Sequence, residues 1–379
     1  MQLPNQELKE KITLEISNNN GSISFARFME MALYSKDFGY YSAANPKFGH
    51  KGDFITAPEI SPLFSKVIAK QFVEINANIN DSSILELGAG TGRFAKDILL
   101  ELEKLKSIPG NYYIFEISPD LKARQKALLQ KECKSYFDKI IWLDSLDGFE
   151  IKGLVFANEV LDAMPVHCFA SDGVNLKERT VSYLNNQFSW QLKDPVSDEL
   201  SEKLNMLNSE FNFSKDYESE INLSMDDCIK DISKILRKGL VLFFDYGYGR
   251  KEYYHPDRSM GTLMCFKDHQ KNANPFENIG LQDITAHVDF TSVIETAFDN
   301  GLTLAGFTTQ AAFLGSHGIL EIFERTEYSS NAEKVQAAQN LKKLILPNEM
   351  GEIVKVMGLN KGYDFPVSGF SLQDKQFEL

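Results

Sequence analysis

The run Ser83-Ile84-Leu85-Glu86-Leu87, opening into Gly88-Ala89-Gly90-Thr91-Gly92, constrains the fold of this chain more than any other stretch. A short apolar segment bounded by turn residues reads as a buried strand. Glycines reach backbone conformations closed to other residues and let a ligand approach the main chain. Ala95 to Leu102 then carries apolar residues at helical spacing, so the first N–H groups of a helix point toward whatever sits above the turn. Strand, glycine turn and helix in this order predict a nucleotide-binding α/β domain. A dinucleotide fingerprint wants glycine or alanine where Arg93 stands, and a P-loop wants a Gly-Lys-Ser/Thr ending that the turn lacks. Tyr112-Tyr113-Ile114-Phe115 is a second strand-like run, ending at Glu116, 24 residues beyond Gly92. That is about the spacing of a ribose-binding acid, and a carboxylate accepts hydrogen bonds from both ribose hydroxyls.

Ile140 to Ser145, Gly153 to Glu159 and Gly239 to Gly247 repeat the pattern of an apolar run ending in polar residues, as when the carboxyl ends of parallel strands line one crevice. Their alternation with helical runs predicts a doubly wound α/β sheet. Residues 1–80 read as N-terminal helices, the second capped by Ser24 and a later one opened by Ser61-Pro62, with a turn-rich aromatic passage that either leads into the sheet or covers the site. Asp53, Thr56 and Glu59 in that passage are candidate substrate contacts. Residues 81–165 form the first part of the nucleotide domain. Residues 166–235 form an inserted α+β subdomain, with a hairpin turning at Asn185-Asn186 and an outlying helix and loop over 198–222. Residues 236–330 complete the domain, with a long irregular segment over 251–289, and 331–379 read as a helix and tail.

With 379 residues, 43% hydrophobic and 25% charged, the chain falls in the globular range, and its formal charge of −13 disfavours a nucleic-acid partner. An acidic balance suits a cationic substrate, although it is also ordinary for a cytosolic protein. Cys133, Cys168, Cys228 and Cys265 show no CxxC pairing, which signals neither zinc nor a disulfide scaffold and fits a reduced cytoplasmic compartment. No signal or transit peptide and no membrane-spanning run is evident.

The Glu-x-Gly-x-Gly-x-Gly form resembles motif I of class I S-adenosylmethionine (SAM)-dependent methyltransferases. More motifs follow in order. They are Gly52-Asp53-Phe54-Ile55-Thr56-Ala57-Pro58-Glu59-Ile60-Ser61, Phe115-Glu116-Ile117-Ser118-Pro119, Ala157-Asn158-Glu159-Val160-Leu161-Asp162-Ala163-Met164-Pro165 and Phe244-Asp245-Tyr246-Gly247-Tyr248-Gly249, then Arg258 to Leu263 and Asp283 to Phe290. Together they resemble the MidA-like methyltransferases, bacterial proteins and mitochondrial protein-arginine methyltransferases that assist assembly of respiratory complex I. Ser65-Lys66 departs from the glycine that relatives often carry there.

The resemblance implies a class I methyltransferase (Rossmann-like) fold, SAM as donor, and an arginine on a partner protein as acceptor. It places Glu86, Gly88, Gly90, Gly92, Glu116 and Asn158 on the donor, with Asp144 and Ser145 at the adenine edge. Glu159, helped by Asp162, becomes the guanidinium clamp, since a carboxylate holds guanidinium in a bidentate fork. Asp162 serves equally well as support for the Met164-Pro165 turn. Tyr246, Arg258 and His287 are either substrate contacts or structural hydrogen-bonding groups of the long segment. His287 and Asp289 lack a third ligand at sensible spacing, so no metal is expected. A homodimer is compatible with the sequence. Two other functions stay open, a small-molecule methyltransferase and a SAM-binding assembly factor without catalysis.

Overall fold

A computed structural model describes residues 4–42, 56–268 and 270–379, so Asp53 lies outside the described residues. Seven strands form the path of the central sheet: β1 (Ser83–Leu87), β2 (Tyr112–Phe115), β3 (Ile140–Leu143), β4 (Ile151–Asn158), β5 (Leu236–Tyr248), β6 (Thr303–Thr309) and β7 (Val354–Lys361). Their spatial order is β6-β7-β5-β4-β1-β2-β3. β1, β2, β3, β4 and β5 pair in parallel. β7 runs antiparallel to both of its neighbours. The chain therefore winds outward from β1 in one direction and from β4 in the other. Ligands bind beyond the carboxyl ends of strands at such a switch point.

The central strands β1, β4 and β5 are largely buried on both faces, which accounts for their apolar runs. One face packs Phe64, Phe94, Phe156 and Phe244 beneath helices Pro62–Asn78 and Arg93–Lys104, and the other packs Ile229, Ile232, Val293 and Met357 beneath Leu223–Ile235 and Phe290–Asp299. Serine caps start the helices as the sequence predicts. Ser24 Oγ accepts from Arg27 N, Ser61 Oγ from Leu63 N and Ser118 Oγ from Leu121 N.

The 166–235 segment contributes four strands of a five-stranded antiparallel sheet, and the fifth is Ser22–Ser24 from the N-terminal region. Part of the stretch expected to be an outlying helix and loop is therefore a sheet strand, Glu218–Ile221, paired to His167–Ser171. This arrangement holds helix Phe25–Tyr34 against the mouth of the central sheet. The long 251–289 segment is less irregular than its composition suggests, because Met264–Lys267, Gln270–Asn272 and Asp283–Thr285 form a small sheet. β6 leads directly into helix Gln310–Ser316. The stretch read as helix and tail also supplies β7, whose Val354, Val356, Met357 and Leu359 are buried between β5 and β6. Among the described residues no helix is long and apolar enough to cross a membrane.

Candidate functional site

A cavity of about 370 Å³ opens at the carboxyl ends of β1, β2 and β4. Gly88, Gly90 and Gly92 all have left-handed φ, at 65°, 51° and 82°, so the turn needs all three. Gly88 and Gly90 line the cavity, while Gly92 caps helix Arg93–Lys104 just outside it. Glu86 also lines it, with Tyr112 Oη donating to Oε2 at 2.6 Å, and burial pushes its carboxyl up to about 8. Glu116 accepts from Ser118 N at 2.9 Å and from Gln125 Nε2 at 3.0 Å. Its carboxyl is raised above the usual range by burial, against the pull of those bonds. Gln125 Nε2 also donates to Gly90 O at 2.9 Å, and its Oε1 accepts from Trp142 Nε1 at 3.0 Å. One buried amide thus ties the β2 acid to the glycine turn.

Thr56, Pro58 and Glu59 line the same cavity. Glu59 accepts from the Thr91 hydroxyl and pairs with Arg93 Nη1 at 3.1 Å, which pins this segment onto the turn. The described ends of the aromatic passage, Tyr40 and Tyr41 on one side and Thr56, Pro58 and Glu59 on the other, line the cavity.

The turn after β4 is built differently. Glu159 takes a left-handed φ of 52°, costly for a residue with a side chain. Its Oε1 accepts from Asn158 Nδ2 at 2.9 Å and from Ala57 N at 3.4 Å. Its Oε2 is shielded from solvent with no hydrogen-bond partner among the described residues, as is Asn158 Oδ1. Burial, with Asp245 and Asp283 adding like charge, pushes the Glu159 carboxyl up to about 8. Asp162 is 4% exposed, and burial followed by Asp245, Glu159 and Asp283 raises it well above a normal carboxyl. Glu159, Asp162 and Asp283 all line the cavity.

Two acids that the sequence reading quotes within motifs but assigns no role organise this wall. Asp245 Oδ2 accepts from the backbone N–H groups of Val160, Leu161 and Asp162 at 3.1, 2.8 and 3.4 Å, while Oδ1 accepts from Tyr246 N at 2.9 Å. Burial pushes it up to about 7 despite those four donors. Its place at the polar end of β5 was the signal that could have found it. Asp283 accepts from Tyr41 Oη at 2.9 and 3.0 Å. It opens the Asp283 to Phe290 motif, inside a segment without periodicity, so the sequence marks the residue but gives it no role.

Other expected contacts stand off the cavity wall. The Asp144 side chain is 92% exposed and pairs with Lys122 at 2.7 Å, and Ser145 bonds Asp147 at 3.0 Å. Leu146, one residue on, lines the cavity instead. Arg258 stacks 4.2 Å from the Tyr248 ring centroid and pairs with Glu252. Tyr246 lies beside His287, with ring centroids 6.3 Å apart. His287 is held neutral, its imidazole pushed down to about 4 by burial and then by Arg258, and its shielded Nδ1 has no hydrogen-bond partner among the described residues. Asp289 caps helix Phe290–Asp299 and pairs with Arg250 at 3.2 Å, a structural task. Among the described residues no group of three or more His, Cys, Asp or Glu side chains is placed to hold a metal.

The cavity residues fit SAM. A glycine-lined turn leaves room for a ligand against the backbone, the carboxylate at the end of β2 keeps lone pairs for ribose hydroxyls, and among the described residues the only basic side chain on the cavity wall is Arg93, against six carboxylates. Gly88, Gly90, Glu116 and Asn158 would hold it.

Residues 65–308 match the profile of a family described as "Putative S-adenosyl-L-methionine-dependent methyltransferase". A Burkholderia thailandensis protein crystallised with S-adenosyl-homocysteine is 34% identical, with a TM-score of 0.94, over 99% of this chain and 97% of that one. Protein arginine methyltransferase NDUFAF7 of Danio rerio is 28% identical, covering 94% of this chain and 90% of its own length. The Homo sapiens protein of that name is 28% identical over 88% of this chain and 79% of its own length.

Proposed function

The chain belongs to this family of SAM-dependent methyltransferases, and we propose that its acceptor is an arginine side chain of a partner protein. SAM supplies a methyl group on a positively charged sulfur, and the protein's work is to align a nucleophile with it and exclude water. One observation carries the arginine reading. Glu159 is held in a left-handed conformation with a shielded Oε2 that has no partner among the described residues, close to Asp162, in a cavity dominated by carboxylates. A desolvated carboxylate of this kind is costly unless a cation completes it. A guanidinium would complete it through two parallel N–H···O bonds and present one nitrogen to the donor. Asp162 shares the positive charge and accepts the proton that the nitrogen sheds as its new bond to carbon forms. Asn158 and Ala57 N hold Oε1 so that Oε2 faces the guest. The curated relatives' names, which specify protein arginine, support the same substrate class. We extend the proposal to a respiratory-complex subunit on the sequence resemblance alone.

The test is transfer of labelled methyl from SAM into proteins of a cell lysate, with the modified residue mapped by mass spectrometry. Glu159→Gln keeps the shape and the contact with Asn158 but not the charge. It is expected to lower transfer by about a hundredfold or more, the usual effect of breaking a buried charge pair, with SAM affinity within about twofold of wild type. Undiminished transfer by Glu159→Gln would sink the clamp. Label on a small molecule would point to a different acceptor, and binding without any transfer to an assembly factor.

A further inference from the structure

The cavity also carries aromatic residues that no step above uses. Tyr34 and Tyr41 stack with centroids 5.5 Å apart and planes 16° from parallel, Tyr40 meets Tyr41 edge-on at 5.0 Å, and all three line the cavity. Both ring hydroxyls of the stacked pair are committed. Tyr41 Oη donates to the two Asp283 oxygens, and Tyr34 Oη donates at 2.8 Å to Ala163 O, in the turn that follows Glu159. A phenol that donates to a carboxylate gains electron density in its ring, which strengthens its attraction for a cation.

Their location narrows the guest. The Tyr41 carbonyl accepts from Ser118 Oγ at 2.7 Å, and Ser118 N donates to Glu116, while the Tyr34 hydroxyl reaches the carbonyl of Ala163, the residue after Asp162. The stacked pair therefore spans from the acid expected to take the ribose to the carboxylates of the acceptor wall. In SAM the sulfur is bonded both to the ribose-bearing carbon and to the transferable methyl. A donor with its ribose on Glu116 and its methyl toward Glu159 must carry its sulfur across that interval.

We propose that Tyr34 and Tyr41, backed by Asp283, form a subsite that reads the positive charge on the donor's sulfur and so favours SAM over its product S-adenosyl-homocysteine. The inference rests on the donor and not on the identity of the acceptor. When the S–CH3 bond breaks, its electron pair stays on sulfur, which becomes a neutral thioether while the methyl joins the acceptor. The attraction vanishes at that moment, so the subsite favours product release.

Calorimetric titration of the full chain tests this with SAM, S-adenosyl-homocysteine and sinefungin, which carries an ammonium near the position of the sulfonium. Wild type is expected to bind the two cations about tenfold more tightly than the thioether, within the range of a desolvated cation–π contact. Tyr34→Leu and Asp283→Asn should each shrink that preference at least about threefold with thioether affinity nearly unchanged. Tyr34→Phe, which keeps the ring, should preserve it. Equal weakening of all three ligands by Tyr34→Leu and Asp283→Asn would make these groups a matter of shape alone and overturn the proposal. Should Tyr34→Leu melt too early to titrate, Tyr41→Phe decides. That substitution keeps the ring and removes the hydroxyl that donates to Asp283, so it must lower the preference for the cations, and an unchanged ratio overturns the proposal.

Discussion

Glu116 and Glu159 each follow the last residue of a parallel strand, β2 and β4, and each lines the cavity. Glu116 has a protein donor on both oxygens. Glu159 has donors on one oxygen, a shielded and unpartnered second oxygen, and a strained backbone. On the proposed reading the first arrangement offers its remaining lone pairs to neutral hydroxyls, and the second is completed by a charged group. The same strand-end position therefore serves two chemistries, separated by how far the protein itself satisfies the carboxylate.

The largest break in this contrast comes from Asp245. Its carboxylate takes four backbone N–H groups, three of them in the Val160–Asp162 turn. Asp245→Ala leaves those buried donors unpaired and is expected to cost about 3–5 kcal/mol of stability, read by urea denaturation. Methyl transfer should be lost. Any folded Asp245→Ala protein should still bind SAM, because the donor wall is wired through Gln125 instead. Loss of SAM binding from a folded variant would mean that the walls are one unit.

Next in size is the mirror of the clamp test. Glu116→Ala removes a charged acceptor from the donor wall, and SAM affinity measured by calorimetry should fall by about 30- to 100-fold. At saturating SAM, transfer should largely recover. If it does not, Glu116 acts beyond binding and the division of labour between the walls is wrong.

The contrast also has a pH signature. In the proposed clamp a guanidinium binds the ionised form of Glu159, whose carboxyl is pushed up to about 8 by burial. Transfer at low acceptor concentration should therefore rise with pH by up to about tenfold per unit and level off above about 8. The sign for stability is the opposite. The folded chain keeps a proton that the unfolded chain releases above its ordinary carboxyl pKa, so this group's contribution falls as pH rises from about 4.5 to about 8. Glu159→Gln should flatten both dependences, and a rise in transfer that survives the substitution would assign it to Asp162 or Asp245.

How much of this could be read from the chain follows from how local each cause is. The glycine turn, Glu116 and the Ser24, Ser61 and Ser118 caps are written in adjacent residues, and the structure places them as their spacing requires. Glu159 could be singled out because strand ends line crevices, but its left-handed φ and orphaned oxygen depend on Asp245 and Ala57, 86 residues downstream and 102 upstream. β7 escaped because its eight residues, with only Val354, Val356, Met357 and Leu359 large and apolar, carry no sign of which strands they will join. Tyr34, Tyr41 and Asp283 meet only when the N-terminal helix is held over the sheet by a strand pairing across 158 residues, Ile23 to Val181.

The smallest expected effect comes from the residue whose position at the end of β3 suggested an adenine contact. By the strand-end argument that served Glu116 and Glu159, Asp144 should also face the ligand. Its side chain instead points to solvent and holds Lys122, leaving Leu146 to line the cavity. The Lys122 ammonium holds the Asp144 carboxyl below the ordinary range, as an exposed ion pair does, but such pairs contribute little. Asp144→Asn should therefore change SAM affinity by less than about twofold, whereas Leu146→Asp, which puts a charge on the cavity wall, should weaken it by about tenfold or more. A tenfold loss from Asp144→Asn in the same titration would mean that the β3 end swings inward when the donor binds, and the two-wall description would need a third.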